Sequence, residues 1–279
     1  MLKIVVATVI YPDAIKFFKD FIWSLQAQTF RDFTVLILTD KVKKQEIIKR
    51  LEFSDVYAEV IENFTQLTPQ ALRVKLIQKS KELGADLLVF GDVDDTFSEG
   101  RIQEIVDCFR TTSADFFFND LLIDGCERTS FQMPDSANGI EILANSNFLG
   151  LSNTALRLGS IDERFISSLF DCDTFVFDWY MYSRLLIMGL KGIHTGQAAY
   201  TRYRIHNNNF AGVTVKTDCN LKKEIEVKRS HYRLLSIYDE RFVRYYEAYL
   251  EGRIKIKKKS GGFWWDLTAP DLNNNEFDV

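Results

Sequence analysis

Short apolar segments recur along the first 120 residues, and an amphipathic stretch follows each of them. Ile4–Ile10 is apolar and largely β-branched on both faces, and residues 34–38 and Leu87–Phe90 repeat that character. A strand that is apolar on both faces is typical of a parallel sheet covered by helices. Residues 57–61 and 115–118 predict two further strands. The alternation predicts an α/β fold with a mostly parallel sheet.

The amphipathic stretches predict the helices of this fold. Phe18, Ile22 and Leu25 recur at three- and four-residue steps, which is the spacing of one helix face. The predicted helices cover residues 15–27, 43–51, 69–83, 98–109 and 179–188, with one long helix over about 221–250. In the second half of the chain, strands and helices alternate less regularly than in the first.

Composition excludes several classes of protein. Of the 279 residues, 46% are hydrophobic and 27% are charged, as in globular rather than disordered chains. The longest apolar run, residues 4–11, is far shorter than the ~20 residues of a membrane-spanning helix. No small-residue cleavage site follows it, so we expect a buried strand and not a signal peptide.

Cysteine spacing and net charge limit the kinds of site, location and partner that are expected. The four cysteines lack C-x-x-C spacing, so neither a disulfide framework nor a zinc site is predicted, and a cytoplasmic location is expected. The net charge of −4 provides no general attraction to nucleic acid.

An acidic cluster, Asp92-Val93-Asp94-Asp95, directly follows the strand Leu87–Phe90, and Asp40 follows residues 34–38. Ligands of parallel α/β sheets bind beyond the carboxyl ends of the strands. Carboxylates about 4 Å apart repel each other by roughly 4 kcal/mol near a protein surface, and a divalent cation relieves that repulsion. The cluster therefore predicts a metal or phosphate site.

Two other interpretations of the acidic cluster are open at this point. Asp95 or Thr96 would cap a helix and Glu99 would complete a capping box, although this leaves Asp92 and Asp94 unused. Asp92-Val93-Asp94-Asp95-Thr96 also matches the D-x-D-x-T motif of haloacid-dehalogenase-like phosphatases, in which the first Asp is the nucleophile.

Several segments resemble the family 2 glycosyltransferases of the GT-A fold. Residues 24–33 are similar to the S-x-L-x-Q-T-[YF]-x-[DN]-[FY] phrase that ends the family's first helix, and residues 87–95 are similar to its strand with D-x-D-D. Further matches follow in the family's order: Arg73, residues 148–153, Asp178-Trp179 with Arg184-Leu185-Leu186 and Gly189, and Tyr203-Arg204-Ile205-His206-Asn207. The resemblance covers residues 3–210.

The resemblance implies a Rossmann-like sheet flanked by helices and an inverting, metal-dependent transfer of a sugar. The donor would be a nucleotide-diphosphate sugar, with UDP as the commonest nucleotide, and the acceptor a hydroxyl of a glycan or lipid-linked saccharide, as in polysaccharide biosynthesis. The expected nucleotide-sugar-binding residues are Thr8, Tyr11, Asp40, Arg73 and Asp92. Mn²⁺ or Mg²⁺ would be held by Asp92, Asp94 and His206, and Asp178 would be the general base.

The chain also departs from the family pattern. Tyr11-Pro12-Asp13 replaces T-Y-N, Asp40 is all that remains of D-D-x-S, and Phe177 replaces the acidic residue before Asp178. The Q-x-x-R-W signature of processive synthases is missing. Because these motifs are reduced, a non-catalytic protein that binds a nucleotide-sugar is an open alternative. The phosphatase is disfavoured because its motif belongs on the first strand, and a nucleotidyltransferase because residues 11–15 contain no glycine.

The resemblance also predicts a domain organisation. Residues 1–215 would form the GT-A catalytic domain, with 1–110 as the nucleotide-binding half and 111–215 as the acceptor half. Residues 216–279 would form a helical extension; residues 216–259 carry 13 basic and 7 acidic side chains. Residues 255–259, four of them lysines, lead into Phe263-Trp264-Trp265. This pairing suits peripheral contact with an anionic membrane surface. A helix packed on the catalytic domain with a solvated basic tail is an equally open alternative.

Overall fold

The chain folds into two compact units, and the computed structural model describes residues 2–123, 133–170, 172–205, 218–258 and 262–272. The first unit consists of Met1–Ser136, Gly150–Asp171 and Leu190–Ile205. The second unit consists of Ala137–Leu149, Cys172–Gly189 and His206–Val279. Both units are therefore assembled from separate stretches of the chain.

Strands alternate with helices along the first part of the chain, as predicted. The described strands are β1 (Ile4–Ile10), β2 (Thr34–Asp40), β3 (Ala58–Asn63), β4 (Leu87–Phe90), β5 (Thr96–Phe97), β6 (Phe116–Phe118), β7 (Asp120–Ile123), β8 (Ser136–Ala137), β9 (Thr154–Arg157), β10 (Gly192–His194), β11 (Tyr200–Tyr203), β12 (Ile254–Ile256) and β13 (Thr268–Pro270). The described α-helices are α1 (Phe18–Gln26), α2 (Lys44–Leu51), α3 (Pro69–Glu82), α4 (Arg101–Thr111), α5 (Glu163–Phe170), α6 (Phe177–Ile187), α7 (Asp218–Leu235) and α8 (Arg241–Leu250).

The large sheet has the strand order β3-β2-β1-β4-β9-β6-β10-β8. The pairs β1–β2, β1–β4, β2–β3 and β6–β10 are parallel, whereas β9 is antiparallel to both of its neighbours. A smaller sheet has the order β5-β11-β7. A mostly parallel sheet flanked by helices confirms the predicted fold class.

The strand register brings the ends of four strands to one edge of the sheet. Ile10 of β1 pairs with Thr39 of β2, and Asp40 pairs with Asn63 of β3. On the other side of β1, Ala7 pairs with Phe90 at the end of β4. Because these strands are parallel, the residues that follow them leave from the same, carboxyl edge.

Helix α1 covers one face of β1 and β2. Phe18, Phe21, Ile22 and Leu25 of this helix are at most 1% exposed and belong to the same apolar cluster as these two strands. Burying a side chain of this size stabilises the fold by about 1.5–3 kcal/mol. Residues 15–17, which we expected in the helix, instead end a 3₁₀ helix, Pro12–Phe17, that begins with proline after β1.

The single long helix expected over residues 221–250 is wrong, because α7 ends at Leu235 and α8 begins at Arg241. Asp239 explains the break: its carboxylate accepts the Arg241 backbone N–H at 3.0 Å, and its carbonyl accepts the Phe242 N–H at 3.1 Å. These hydrogen bonds occupy N–H groups that a continuous helix would direct elsewhere. The two helices pack through the rings of Tyr232, Phe242 and Tyr249.

Helix α6 is buried in the second unit, since every residue from Trp179 to Leu186 is buried. The indole of Trp179 donates a hydrogen bond to the Leu143 carbonyl at 2.8 Å. Trp179 is fully buried, so its ring packs inside the second unit. Among the described residues, no helix combines the length and the apolar character needed to cross a bilayer.

Candidate functional site at the carboxyl edge of the sheet

The acidic loop leaves β4 at the carboxyl edge. Gly91 N–H donates to the Ala7 carbonyl at 3.1 Å, and a turn closes when Asp95 N–H donates to the Asp92 carbonyl at 3.0 Å. Asp92 and Asp94 are half-buried, whereas Asp95 is only 2% exposed. The turn therefore separates two accessible carboxylates from one that is buried.

Asp95 has a structural role. Its carboxylate accepts the Arg204 backbone N–H at 3.0 Å. Burial raises the pKa of Asp95 well above its usual range, and the charges of Asp94 and Asp92 raise it further. The capping interpretation is wrong, because Thr96 and Phe97 form β5 and α4 begins after Gly100 without a side-chain cap.

Tyr11 lies close to the acidic loop. Burial raises the pKa of its phenol to about 12, and the negative charges of Asp94 and Asp92 add to the rise. The positive charge of Arg73 acts in the opposite direction. The structure thus brings together four residues that the sequence singled out on three different segments, namely Tyr11, Arg73, Asp92 and Asp94.

Arg73 contributes a cation to this group. It lies on α3, which begins at Pro69 with the Thr68 hydroxyl accepting the Ala71 N–H at 3.2 Å. The Arg73 side chain is half-buried, and within the described part of the chain it has no hydrogen bond or ion pair. A guanidinium in this state has all five donors available for an anion such as a phosphate.

Thr8 and Asp40, the other two expected nucleotide-sugar-binding residues, lie outside the group that surrounds Tyr11. Thr8 is 1% exposed, and its buried hydroxyl oxygen has no hydrogen-bond partner among the described residues. Asp40 ends β2, which is separated from β4 by β1. Thr39 pairs with Ile10, three residues beyond the partner of Phe90 on β1, so two strand spacings and a four-residue offset place Asp40 roughly 16 Å from the end of β4. It is half-buried and lies where a ligand extending along the edge would reach it.

The carboxylates fit a divalent cation that is shared with a ligand. No group of three or more His, Cys, Asp or Glu side chains is arranged to hold a metal among the described residues, and His206 lies outside them. Mg²⁺ and Mn²⁺ bind through one or two carboxylates together with substrate phosphates and water. Asp92 and Asp94 supply such a pair, and Arg73, like both of them, acts on the phenol of Tyr11.

Asp178 belongs to the second unit, in the first turn of α6. It is half-buried, and its Oδ1 accepts the Trp179 N–H at 2.6 Å and the Asn147 side-chain amide at 3.3 Å. Of the two neighbouring carboxylates, Asp173 is exposed and Asp171 lies outside the described residues. Phe177, which precedes Asp178 in the chain, is buried.

Arg101 and Ser152 are site residues that the sequence analysis did not identify. The Ser152 hydroxyl accepts the Asp92 N–H at 3.2 Å. Arg101 is fully buried, and its Nη2 donates to the Phe90 carbonyl at 3.0 Å and to the Ser152 carbonyl at 2.8 Å. Its Nε donates to Asn119 at 2.8 Å. One guanidinium therefore bonds to the end of β4, from which the acidic loop leaves, and to Ser152, which accepts a hydrogen bond from that loop.

Gln28, within residues 24–33, is buried and bonds to the segment that leads into α4. Its amide donates to the Ser98 carbonyl at 2.8 Å and accepts the Ile102 N–H at 3.0 Å. These bonds connect the end of α1 with the start of α4. The glutamine of the phrase therefore has a structural explanation.

We expect Arg101→Met to lower the free energy of unfolding by at least about 3 kcal/mol, because three buried acceptors each lose a donor at about 1–3 kcal/mol. Urea denaturation measures this loss. The matched control is Arg110→Met on the same helix, where the side chain is exposed and the change should stay within about 0.5 kcal/mol. A loss below about 1 kcal/mol for Arg101→Met would contradict the role assigned to this side chain.

No protein-family model matches the chain, and no curated protein matches its sequence. Solved structures do match its fold. Staphylococcus aureus TarS 1–349 in complex with UDP-GlcNAc has a TM-score of 0.65 and 13% identity, over 90% of this chain and 73% of that chain. The mannosyltransferase PcManGT from Pyrobaculum calidifontis, in complex with GDP-Man and Mn²⁺, has a TM-score of 0.56 and 10% identity, over 85% and 64%.

GalNAc-T7 with UDP, GalNAc and Mn²⁺ has a TM-score of 0.61 and 11% identity, and the match covers 89% of this chain but only 50% of that chain. All three matched proteins are nucleotide-sugar glycosyltransferases of the GT-A fold. At these identities the likeness is one of fold, and it confirms the GT-A architecture expected from the sequence.

Proposed function

Because the chain has the GT-A fold of nucleotide-sugar glycosyltransferases, we propose that it transfers a sugar from a nucleotide-diphosphate donor to an acceptor hydroxyl. The observation that carries this proposal is the grouping of Asp92, Asp94, Arg73 and Tyr11 at the carboxyl edge of the sheet. Two carboxylates, together with a guanidinium that has no hydrogen-bond partner among the described residues, suit a metal-bound diphosphate, since the cation and the arginine both bind phosphate oxygens.

The donor would lie along this edge, with Asp40 and the segment from Thr8 to Tyr11 near its nucleoside and Arg73 near its phosphates. Asp92 and Asp94 would hold Mn²⁺ or Mg²⁺, with His206 as the further ligand expected from the sequence. The cation would neutralise the charge that develops on the diphosphate as it leaves. UDP is the proposed nucleotide.

Asp178 would accept the proton of the acceptor hydroxyl as the general base of a single displacement with inversion. A carboxylate suits this role because no covalent intermediate is needed. The proposed acceptor is a glycan or lipid-linked saccharide. In this account residues 1–110 bind the nucleotide, 111–215 serve the acceptor, and 216–279 are an extension of the catalytic domain.

The extension would also touch an anionic membrane. Lys255 and Lys258 are exposed, and each lysine near such a surface adds about 1 kcal/mol. Trp264 and Trp265 are only 9% and 6% exposed, so the contact would depend on the lysines. Flotation with anionic vesicles tests it: binding at low salt that Lys255→Glu with Lys258→Glu removes supports the contact, and no binding by the unaltered protein eliminates it.

The proposed function is tested by measuring release of nucleoside diphosphate from a panel of UDP-, GDP- and dTDP-sugars, with Mn²⁺ and with EDTA. We expect cation-dependent release from one donor, and no hydrolysis of p-nitrophenyl phosphate. Binding of a donor without any turnover would favour the non-catalytic nucleotide-sugar-binding protein. Mg²⁺-dependent turnover of p-nitrophenyl phosphate that Asp92→Asn abolishes would favour the phosphatase instead.

A further inference from the structure

Asn147, in the second unit, contacts the carboxylate of Asp178 directly. Asn147 is 1% exposed; its Oδ1 accepts the Leu149 N–H at 3.0 Å, and its Nδ2 donates to Asp178 Oδ1 at 3.3 Å. The Leu149 N–H requires an acceptor and the carboxylate requires a donor, so the network assigns the orientation of the amide. Asn147 therefore holds one oxygen of Asp178 from inside the unit.

The backbone of Asn147 is paired with the C-terminal segment. Asn147 N–H donates to the Trp264 carbonyl and Trp264 N–H donates to the Asn147 carbonyl, both at 2.9 Å. This is an isolated antiparallel bridge. Next to it, the rings of Phe148 and Phe263 lie with their centroids 5.3 Å apart. The aromatic residues 263–265, predicted to contact a membrane, thus include the partner of the residue that contacts Asp178.

A buried ion pair on α7 anchors this C-terminal segment. The Glu224 carboxylate accepts the backbone N–H groups of Leu267 at 3.0 Å and Thr268 at 2.7 Å, and also the Thr268 hydroxyl at 2.7 Å. Lys228 pairs with Glu224 at 3.2 Å and donates to the Thr268 carbonyl, and both charged side chains are at most 1% exposed. Charged hydrogen bonds without solvent competition are strong, so Leu267 and Thr268 are held firmly.

The start of α6 is fixed from another direction as well. His231 of α7 stacks on Trp179 with ring centroids 3.9 Å apart, and Trp179 also donates to the Leu143 carbonyl at 2.8 Å. Asp178 is therefore followed in the chain by a tryptophan whose ring is fixed by two contacts, and its carboxylate accepts a hydrogen bond from the amide of Asn147. A general base must be held within hydrogen-bond reach of the proton that it removes.

We propose that Asn147 is a positioning residue for Asp178 and that the C-terminal segment 264–268 keeps Asn147 in place. This inference rests on the proposed role of Asp178 as the base. It makes the C-terminal segment part of the acceptor-side machinery, since the Glu224–Lys228 pair holds Leu267 and Thr268, the chain leads back from these to Trp264, and Trp264 pairs with Asn147 beside the carboxylate.

The test compares Asn147→Asp with the unaltered chain. Aspartate has the same shape and still accepts the Leu149 N–H, but it replaces the donor facing Asp178 with a second carboxylate. We expect kcat for transfer to fall about 10- to 100-fold, the scale for a misplaced reacting group, with donor affinity in Mn²⁺ unchanged within about twofold. The acid limb of the pH profile should move to higher pH, because neighbouring carboxylates raise one another's pKa.

Asn145→Asp is the matched control: it places the same charge two residues away, at a half-buried position with no hydrogen bond to Asp178. A folded Asn147→Asp protein with unaltered kcat and pH profile would overturn the inference, as would an equal loss in both variants. If the aspartate variant does not fold, Asn147→Ala replaces it, since it removes the donor without adding a charge. An unaltered kcat in folded Asn147→Ala would overturn the inference.

Asp178→Asn separates this inference from the proposed function. If Asp178→Asn abolishes transfer and a folded Asn147 variant does not alter it, the positioning role fails while the base assignment stands. If Asp178→Asn retains transfer, the base assignment fails and takes the positioning role with it.

Discussion

Replacing Asp178 with asparagine should reduce sugar transfer by about 10²–10⁴-fold, the usual contribution of a positioned general base, while donor binding stays nearly intact. Asparagine keeps the shape of the side chain, and its Oδ1 can still accept the Trp179 N–H and the Asn147 amide that Asp178 accepts. The variant therefore loses the proton acceptor without losing the contacts that begin α6. Transfer rates and calorimetric donor affinities measured on the same preparation give both numbers.

Asp173→Asn is the control for this prediction, because Asp173 is exposed and lies five residues before Asp178. We expect it to retain transfer. Retention of transfer by Asp178→Asn together with its loss in Asp173→Asn would mean that the chain is misaligned with the family in this segment. Asp171→Asn completes the set of candidate carboxylates.

Asp94→Ala should remove the dependence of nucleotide binding on a divalent cation. Asp92 and Asp94 are the accessible pair of the acidic loop. A single remaining carboxylate has no neighbouring charge for a cation to relieve and binds a divalent cation more weakly. In titrations with UDP, GDP and dTDP, we expect the unaltered chain to bind one nucleotide at least about tenfold more tightly in Mn²⁺ than in EDTA, a difference of about 1.4 kcal/mol. The variant should bind equally in both conditions.

The same variant has a readout that needs no metal. The charge of Asp94 raises the pKa of Tyr11, so Asp94→Ala should lower that pKa below its value of about 12. Ultraviolet titration against Tyr11→Phe isolates this phenol. Asp13→Ala is the matched control: Asp13 also raises the Tyr11 pKa but lies outside the loop, so it should shift the phenol and preserve the effect of Mn²⁺. A strong Mn²⁺ effect in Asp94→Ala would remove the metal assignment.

Much of the fold was predictable because it follows from local patterns. The apolar runs at β1, β2 and β4 specify buried parallel strands, and an acidic group that follows β4 in the chain must leave from its carboxyl end. Where the prediction failed, short-range chemistry overrode the periodicity. Proline at residue 12 began a 3₁₀ helix, and the Asp239 hydrogen bonds divided an apolar pattern that continued across the break.

The candidate site was predictable only in part. Tyr11, Arg73, Asp92 and Asp94 stood out because each occupies a strand end or a family motif, and the structure groups them. The contacts of Arg101 with Ser152, and of Asn147 with Trp264, join residues 51 and 117 positions apart in the chain. Periodicity and spacing carry no information about such contacts, and an arginine on an amphipathic helix looks like a solvated charge.

The central claim is that this chain binds a nucleotide-sugar donor through a divalent cation held at the carboxyl edge of its sheet. Thermal unfolding with a panel of nucleoside diphosphates and nucleotide-sugars, each with Mn²⁺ and with EDTA, tests it most directly. A ligand at 100 times its Kd stabilises the folded state by about 2.7 kcal/mol, so we predict a rise in Tm of several degrees for one nucleotide and its sugar in Mn²⁺ alone. The absence of any shift across the panel, or an equal shift in EDTA, would contradict the account.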